Sequence, residues 1–183
     1  RHRLLTAMLT FLVGGARSGK STLAQRMAER SGMPVTVIAT AEPFDDDLRA
    51  RIERHRADRP DGWNTVETPL YLGDAVRATP HDRFLVIDCI TVWVGNLMHH
   101  FLTKGVDAAV GEFLAALRER HDAPTVVVSN EVGMGVHPET ELGRQYRDIL
   151  GTVNQRIADT ADTSLLLVAG RAVRLDEIGR AHV

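Results

Sequence analysis

The chain has 183 residues, which is enough for one folded domain whose core needs no disulfide or metal. Its 22 basic and 24 acidic residues give a formal net charge of −2, so composition argues against a nucleic-acid or membrane-surface partner. A single cysteine excludes an internal disulfide and favours a reducing, cytoplasmic setting, and no apolar run is long enough to span a membrane.

Short apolar runs alternate with longer helical patterns along the chain. The predicted elements, in chain order, are strand 9–13, helix 20–30, strand 35–39, helix 45–58, helix 70–77, strand 84–88, helix 92–102, helix 108–120, strand 125–129, helix 139–161, strand 164–169 and a closing antiparallel strand 172–175. Because the strands are continuous apolar runs, we expect an α/β fold with a mostly parallel sheet flanked by helices. We expect one domain over residues 1–183, with residues 1–8 as a ragged N-terminal extension.

The strongest motif lies between the first strand and the first helix. The segment Gly14-Gly15-Ala16-Arg17-Ser18-Gly19-Lys20-Ser21 fits G-x-x-x-x-G-K-[ST] at every fixed position. The glycines let backbone N–H groups converge on a phosphate, Lys20 brings positive charge to the β- and γ-phosphates, and the Ser21 hydroxyl suits Mg²⁺. The sequence therefore predicts a phosphate-binding loop, or P-loop, in a nucleotide-binding domain.

Acidic residues follow two of the predicted strands. Asp88 ends an apolar strand, which is the expected form of the carboxylate that holds Mg²⁺ together with Ser21. Glu131 is a rival acid, because the carboxyl ends of strands in open α/β sheets converge on one crevice. The chain lacks a guanine-reading N/T-K-x-D motif at a strand end, which argues against a regulatory GTPase.

The predicted helix 45–58 combines one histidine with many arginines. Leu48, Ile52 and His55 share one helix face, and five arginines lie between positions 49 and 59. Guanidinium groups suit a polyphosphate, and they disfavour the cationic form of a neighbouring imidazole. A neutral imidazole is a nucleophile toward phosphorus, whereas the alternative is a structural histidine on a salt-bridged helix. The pattern alone leaves both interpretations open.

Several segments, in this order, resemble those of a known enzyme family. Besides the P-loop they are Ile38-Ala39-Thr40-Ala41, Arg51-Ile52-Glu53-Arg54-His55-Arg56, Asn130-Glu131-Val132-Gly133-Met134-Gly135, Gln145-Tyr146-Arg147-Asp148 and Val153-Asn154-Gln155-Arg156. Together they resemble the bifunctional adenosylcobinamide kinase / adenosylcobinamide-phosphate guanylyltransferase family of cobalamin biosynthesis, roughly from Thr10 to Leu175. The resemblance implies a RecA-like P-loop fold and a homotrimer.

The resemblance also implies two reactions and the residues that perform them. ATP or GTP phosphorylates adenosylcobinamide, and GTP then donates GMP to adenosylcobinamide phosphate through a guanylylated histidine, which gives adenosylcobinamide-GDP. The implied catalytic residues are His55 and Lys20. The implied nucleotide-binding residues are Gly14 to Ser21, Ala39, Thr40, Ala41, Arg56, Ala57, Asp58, Arg59, Glu67 and Asp88.

Two alternative functions fit the P-loop without the resemblance. One is a small-molecule kinase in which His55 is structural and no guanylyl transfer occurs. The other is a RecA-like ATPase acting on nucleic acid, for which the net charge offers no basic stripe.

Overall fold

Seven strands form one sheet in the computed structural model, which describes residues 8–42 and 60–175. The strands are β1 (Leu9–Gly14), β2 (Val35–Ala39), β3 (Asn64–Glu67), β4 (Phe84–Asp88), β5 (Thr125–Asn130), β6 (Thr163–Val168) and β7 (Arg171–Arg174). Their order is β3-β2-β4-β5-β1-β6-β7, and every neighbouring pair is parallel except β6 and β7. The predicted mostly parallel sheet is confirmed.

Helices cover both faces of this sheet. They are α1 (Lys20–Ser31), α2 (Leu72–Ala78), α3 (Ile90–Glu119) and α4 (Glu141–Thr160). Alternate strand residues point to opposite faces: Phe11 and Ile87 belong to the apolar cluster with α2, α3 and α4, whereas Leu12 and Val86 belong to the cluster with α1. The central strands are therefore apolar along their whole length because each of their faces is buried.

The strand β3 was absent from the sequence prediction. Its only aliphatic residue is Val66, and both Asn64 and Glu67 are exposed. It lies at the edge of the sheet, where one long side of the strand has no neighbouring strand among the described residues. A four-residue edge strand of this kind carries neither an apolar run nor a regular alternation, so the periodicity gives no signal for it.

The prediction of two helices over 92–102 and 108–120 was wrong, because α3 is continuous from Ile90 to Glu119. Gly105 lies between the two predicted helices, and a glycine inside a helix costs only about 1 kcal/mol. Burial of Val106, Val110 and Phe113 in the core outweighs that cost. A Cβ at position 105 would lie 2.5 Å from the Phe101 Cβ, so a glycine fits there best.

The other predicted elements within the described residues agree with the structure to within two residues at each end. The predicted helix 45–58 lies outside those residues. None of the described helices is both long enough and apolar enough to cross a membrane.

Candidate functional site

The parallel strands end together on one side of the sheet. Ala39 is paired with Glu67 on one side and with Asp88 on the other. Gly14, where the P-loop begins, is paired with Asn130. The structure therefore brings predicted site residues from four separate segments to the C-terminal end of the sheet, where ligands bind in open α/β folds.

The P-loop runs from the end of β1 into the first turn of α1. Gly19 is the N-cap of α1 and has a φ of 100°, a left-handed conformation that glycine adopts without a steric penalty. Gly19 has no side chain with which to cap this helix end. The amide groups of the first turn and the positive end of the helix dipole are thus available to an anion.

The side chain of Lys20 is buried and hydrogen-bonded to other residues of the P-loop. Its Nζ donates hydrogen bonds to the Gly15 carbonyl at 2.7 Å and to the Ser18 Oγ at 3.3 Å, and the residue is only 7% exposed. Burial lowers the pKa of Lys20, while the Cys89 and Asp88 groups act in the opposite direction. The present oxygen partners are uncharged, so an arriving phosphate would interact more strongly with the ammonium group.

The two glycines that open the P-loop differ in the space around them, which gives a matched test. A Cβ on Gly14 would overlap the Leu167 carbonyl oxygen and lie 2.9 Å from the Ser18 Oγ, whereas a Cβ on Gly15 meets no atom within 4 Å. We expect Gly14→Ala to lower the free energy of unfolding by about 1–3 kcal/mol. Gly15→Ala should change it by less than about 0.5 kcal/mol. Urea unfolding measures both, and equal effects would contradict the prediction.

Thr40 lies at this end of the sheet, but its hydroxyl is engaged by the neighbouring strand end. The Oγ1 donates to the Cys89 carbonyl at 2.7 Å and accepts from the Cys89 amide at 3.0 Å. The Asn96 Nδ2 donates to the Thr40 carbonyl at 2.8 Å and to the Pro69 carbonyl at 3.0 Å. Thr40 therefore fixes the relative position of the ends of β2 and β4. Sequence analysis did not identify Asn96, which ties α3 to the same place.

Cys89 follows Asp88 directly and is the only cysteine of the chain. Burial, and then the negative charge of Asp88, raise the pKa of the Cys89 thiol to about 11. The thiol is therefore neutral at pH 7 and is a poor nucleophile.

The structure separates the two rival acids by their surroundings. The Glu131 Oε1 accepts hydrogen bonds from the amides of Gly133 at 2.6 Å and Met134 at 3.1 Å, so this carboxylate braces its own loop. Asp88 instead lies close enough to Lys20 for its charge to oppose the lowering of the Lys20 pKa that burial causes. The exposed Ser21 hydroxyl and the Asp88 carboxylate are hard oxygen donors, which is the chemistry that Mg²⁺ prefers beside phosphate oxygens.

A hydrogen-bond network that sequence analysis did not foresee fixes the end of β5. The Asn154 Nδ2 donates to the Asn130 carbonyl at 3.1 Å, and its Oδ1 accepts from the Ser129 hydroxyl at 2.7 Å. The Asn130 amide donates to the Thr91 Oγ1 at 2.7 Å, and the Tyr146 hydroxyl donates to the Thr91 carbonyl at 2.9 Å. Tyr146 and Asn154 come from the two segments of α4 that contributed to the family resemblance. Asn154 bonds the strand end beside the P-loop directly, and Tyr146 bonds it through Thr91.

The predicted nucleophile and its neighbours lie outside the described residues. These are His55, Arg56, Ala57, Asp58 and Arg59. Ala41, by contrast, is described and half-buried, and it continues the chain from the end of β2.

Solved structures resemble this fold at low sequence identity. The RadB recombinase matches with a TM-score of 0.52 and 19% identity, over 87% of this chain and 73% of that chain. The flagellar accessory protein FlaH from Methanocaldococcus jannaschii matches with a TM-score of 0.51 and 15% identity, over 92% of this chain and 77% of that chain. These similarities concern the fold alone, and they agree with the expected RecA-like architecture.

Sequence comparisons are more specific. The bifunctional adenosylcobalamin biosynthesis protein CobP of Pseudomonas aeruginosa is 42% identical over 166 residues, which are 89% of this chain and 94% of that protein. The bifunctional adenosylcobalamin biosynthesis protein CobU of Escherichia coli is 36% identical over 182 residues, which are 92% of this chain and 99% of that protein. Residues 10–175 match the cobinamide kinase / cobinamide phosphate guanyltransferase family. With its P-loop in place at the C-terminal end of the sheet, the chain belongs to that family.

Proposed function

We propose that this protein phosphorylates adenosylcobinamide and then transfers GMP from GTP to adenosylcobinamide phosphate, which yields adenosylcobinamide-GDP for cobalamin biosynthesis. The observation that carries the proposal is the family match over residues 10–175, which includes the P-loop and His55. The geometry of Lys20 beside the aligned strand ends supports it. A homotrimeric assembly, implied by the resemblance, is part of the same proposal.

The first reaction is a phosphoryl transfer from ATP or GTP. The hydroxyl oxygen of adenosylcobinamide attacks the γ-phosphorus, and the bond from that phosphorus to the β,γ-bridging oxygen breaks. A nucleoside diphosphate leaves, and the hydroxyl proton passes to solvent. The P-loop amides and Lys20 stabilise the charge on the transferred group and on the leaving oxygen.

The second reaction proceeds through a covalent enzyme intermediate. A ring nitrogen of His55 attacks the α-phosphorus of GTP, and the bond to the α,β-bridging oxygen breaks, so pyrophosphate leaves. A phosphate oxygen of adenosylcobinamide phosphate then attacks the same phosphorus. The phosphorus–nitrogen bond breaks, and His55 is regenerated. Because one P-loop serves attack at both the γ- and the α-phosphorus, either His55 moves or the nucleotide rebinds between the reactions.

Ser21 and Asp88 are the residues that would hold Mg²⁺ with the nucleotide. When bound, the ion neutralises phosphate charge. Lys20 contributes a positive charge of its own, and Glu131 keeps the neighbouring loop in place.

The guanylylated histidine gives a direct test. Wild-type protein incubated with GTP and Mg²⁺ is expected to gain the mass of GMP, measured on the intact protein at alkaline pH because the phosphorus–nitrogen bond is labile to acid. His55→Ala should gain none, since the nucleophile is gone. The matched control is His121→Ala, which removes an exposed histidine bonded only to the Arg118 carbonyl in the described contacts and should keep the adduct.

Two outcomes would contradict the proposal. An adduct that persists in His55→Ala would place the GMP on another residue. A wild-type protein that phosphorylates adenosylcobinamide but forms no adduct would be a small-molecule kinase without guanylyl transfer.

A further inference from the structure

We propose that Met134 and Val136 form an apolar docking surface for the corrin ring of the substrate. Both residues lie on the loop that joins β5 to α4, residues 131–140. This inference rests on the proposed function and adds the binding site of its larger substrate. Four observations carry it: exposure, a fixed backbone, proximity to the P-loop and the size of the surface.

The two side chains are exposed to an unusual degree for apolar residues. Met134 is 75% exposed and Val136 is 94% exposed. The turn Val132–Gly135, which carries Met134 and is followed directly by Val136, is nevertheless braced, because the Glu131 carboxylate accepts hydrogen bonds from the amides of Gly133 and Met134. The Gly135 amide donates to the Val132 carbonyl at 3.4 Å, which closes the turn. Met134 is therefore exposed on a fixed turn, and Val136 is exposed at the position where that turn ends.

The far end of the same loop is held by arginines of α4. The Arg147 Nη1 lies 2.8 Å from the His137 Nδ1. The Arg144 Nη1 donates to the Pro138 carbonyl at 3.2 Å and to the Glu139 carbonyl at 2.9 Å. A loop fastened at both ends presents its apolar side chains with little further loss of conformational entropy when a ligand binds.

The loop begins in contact with the phosphate site. The Glu131 amide donates to the Gly14 carbonyl at 3.0 Å, so the first residue of the loop touches the first glycine of the P-loop. The reacting hydroxyl or phosphate of the substrate must reach nucleotide phosphates held on the P-loop. The corrin ring is much too wide to enter that loop, so it must lie on the protein surface beside it. Methionine adapts its shape to an irregular apolar ligand.

The size of the surface favours a small molecule over a second protein chain. A stable protein interface needs roughly 800 Å² from each partner. Two side chains on one loop, flanked by Gly133, Gly135 and His137, supply much less. A corrinoid needs contact with only one edge or face of its ring.

The test is direct binding of adenosylcobinamide, measured by equilibrium dialysis with the full chain. The double variant Met134→Gln, Val136→Thr keeps the approximate side-chain volumes but makes both side chains polar. We expect its dissociation constant for adenosylcobinamide to rise roughly tenfold, because apolar contacts of these two side chains are lost. Urea unfolding should show wild-type stability, since both positions are exposed.

The matched control is the double variant Met8→Gln, Val173→Thr. It makes the same chemical changes at exposed positions, one before β1 at the opposite end of the sheet and one on β7. We expect this variant to bind adenosylcobinamide like the wild type.

The inference is overturned if the Met134, Val136 variant binds adenosylcobinamide as tightly as the wild type, or if the control loses as much affinity. A change in sedimentation without a change in corrinoid affinity would mean that the surface joins copies of the chain, which also overturns it. Absence of the GMP adduct in the wild type would instead contradict the proposed function, while dialysis would still report on the surface.

Discussion

Replacing Lys20 with methionine is expected to slow both the phosphorylation of adenosylcobinamide and the guanylylation of His55 by about 10²–10³-fold. Methionine is similar in length but carries no charge, so the leaving phosphates lose their ammonium partner. Both reactions should fall together, because the P-loop serves the γ- and the α-phosphorus alike. Nucleoside diphosphate release measures the first rate, and the growth of the GMP adduct measures the second.

The same substitution should change the stability of the fold only slightly. Lys20 is almost buried, and burial lowers the pKa of its ammonium group, which means that the surroundings disfavour the charged form. Methionine also loses two hydrogen bonds, to the Gly15 carbonyl and the Ser18 hydroxyl, which offsets the gain from removing a buried charge. We therefore expect the free energy of unfolding of Lys20→Met to lie within about 1 kcal/mol of the wild-type value. Arg26→Met, which removes an exposed cation from α1, serves as the control and should leave both rates unchanged. A Lys20→Met protein that keeps more than about a tenth of either rate would contradict the assigned role.

Replacing Arg120 with methionine is expected to lower the free energy of unfolding by about 3–5 kcal/mol. The side chain is 3% exposed, at the N-terminal end of the sheet. Its Nη1 donates to the Thr79 carbonyl at 2.6 Å, and its Nη2 donates to the carbonyls of Pro80 at 3.0 Å and Arg83 at 2.6 Å. The Nε donates to the Thr125 Oγ1 at 3.2 Å. Methionine would leave these acceptors without their donor, and urea unfolding would measure the loss.

Two further variants define what the guanidinium contributes. Burial lowers the pKa of Arg120, because removing the guanidinium from water is unfavourable. The hydrogen bonds to the surrounding oxygens offset that desolvation cost. Arg120→Lys keeps a charge but cannot reach acceptors in several directions at once, so we expect a loss of about 2 kcal/mol. Arg118→Met, at an exposed position two residues before Arg120, should change stability by less than about 0.5 kcal/mol. A loss below about 1 kcal/mol in Arg120→Met would contradict the prediction.

The parts of the fold that could be predicted are those with a local or repeating signal. The glycines and Lys20 of the P-loop stand at fixed spacing between an apolar run and a helical pattern, so both their conformation and their place followed from a short segment. Apolar runs predicted the central strands, because both faces of these strands are buried. Strand β3 and the continuity of α3 through Gly105 depend on neighbours far away in the sequence, and periodicity within a window does not contain them.

In the candidate site, too, some residues have a local sequence signal and others depend on contacts that are distant in the sequence. Asp88 and Glu131 could both be placed at the C-terminal end of the sheet, but only tertiary contacts distinguish the acid beside Lys20 from the acid that braces a loop. Asn154 and Tyr146 belonged to segments that supported the family resemblance, yet no rule about sequence spacing connects them to Asn130. Arg120 stands among charged residues at a helix end and looks like a surface cation until the surrounding carbonyls are seen. His55 remains a prediction from the sequence and the family.

The two hydrogen bonds that hold the Asn130 backbone affect how often this part of the site opens to solvent. Its amide and its carbonyl are each bonded to a side chain, Thr91 of α3 and Asn154 of α4, so neither group can open unless a helix and a strand separate. Such an amide exchanges its hydrogen with solvent only when a larger part of the structure unfolds. The conformational entropy of this strand end is therefore lost when the chain folds. Nucleotide binding then does not have to order the end of β5.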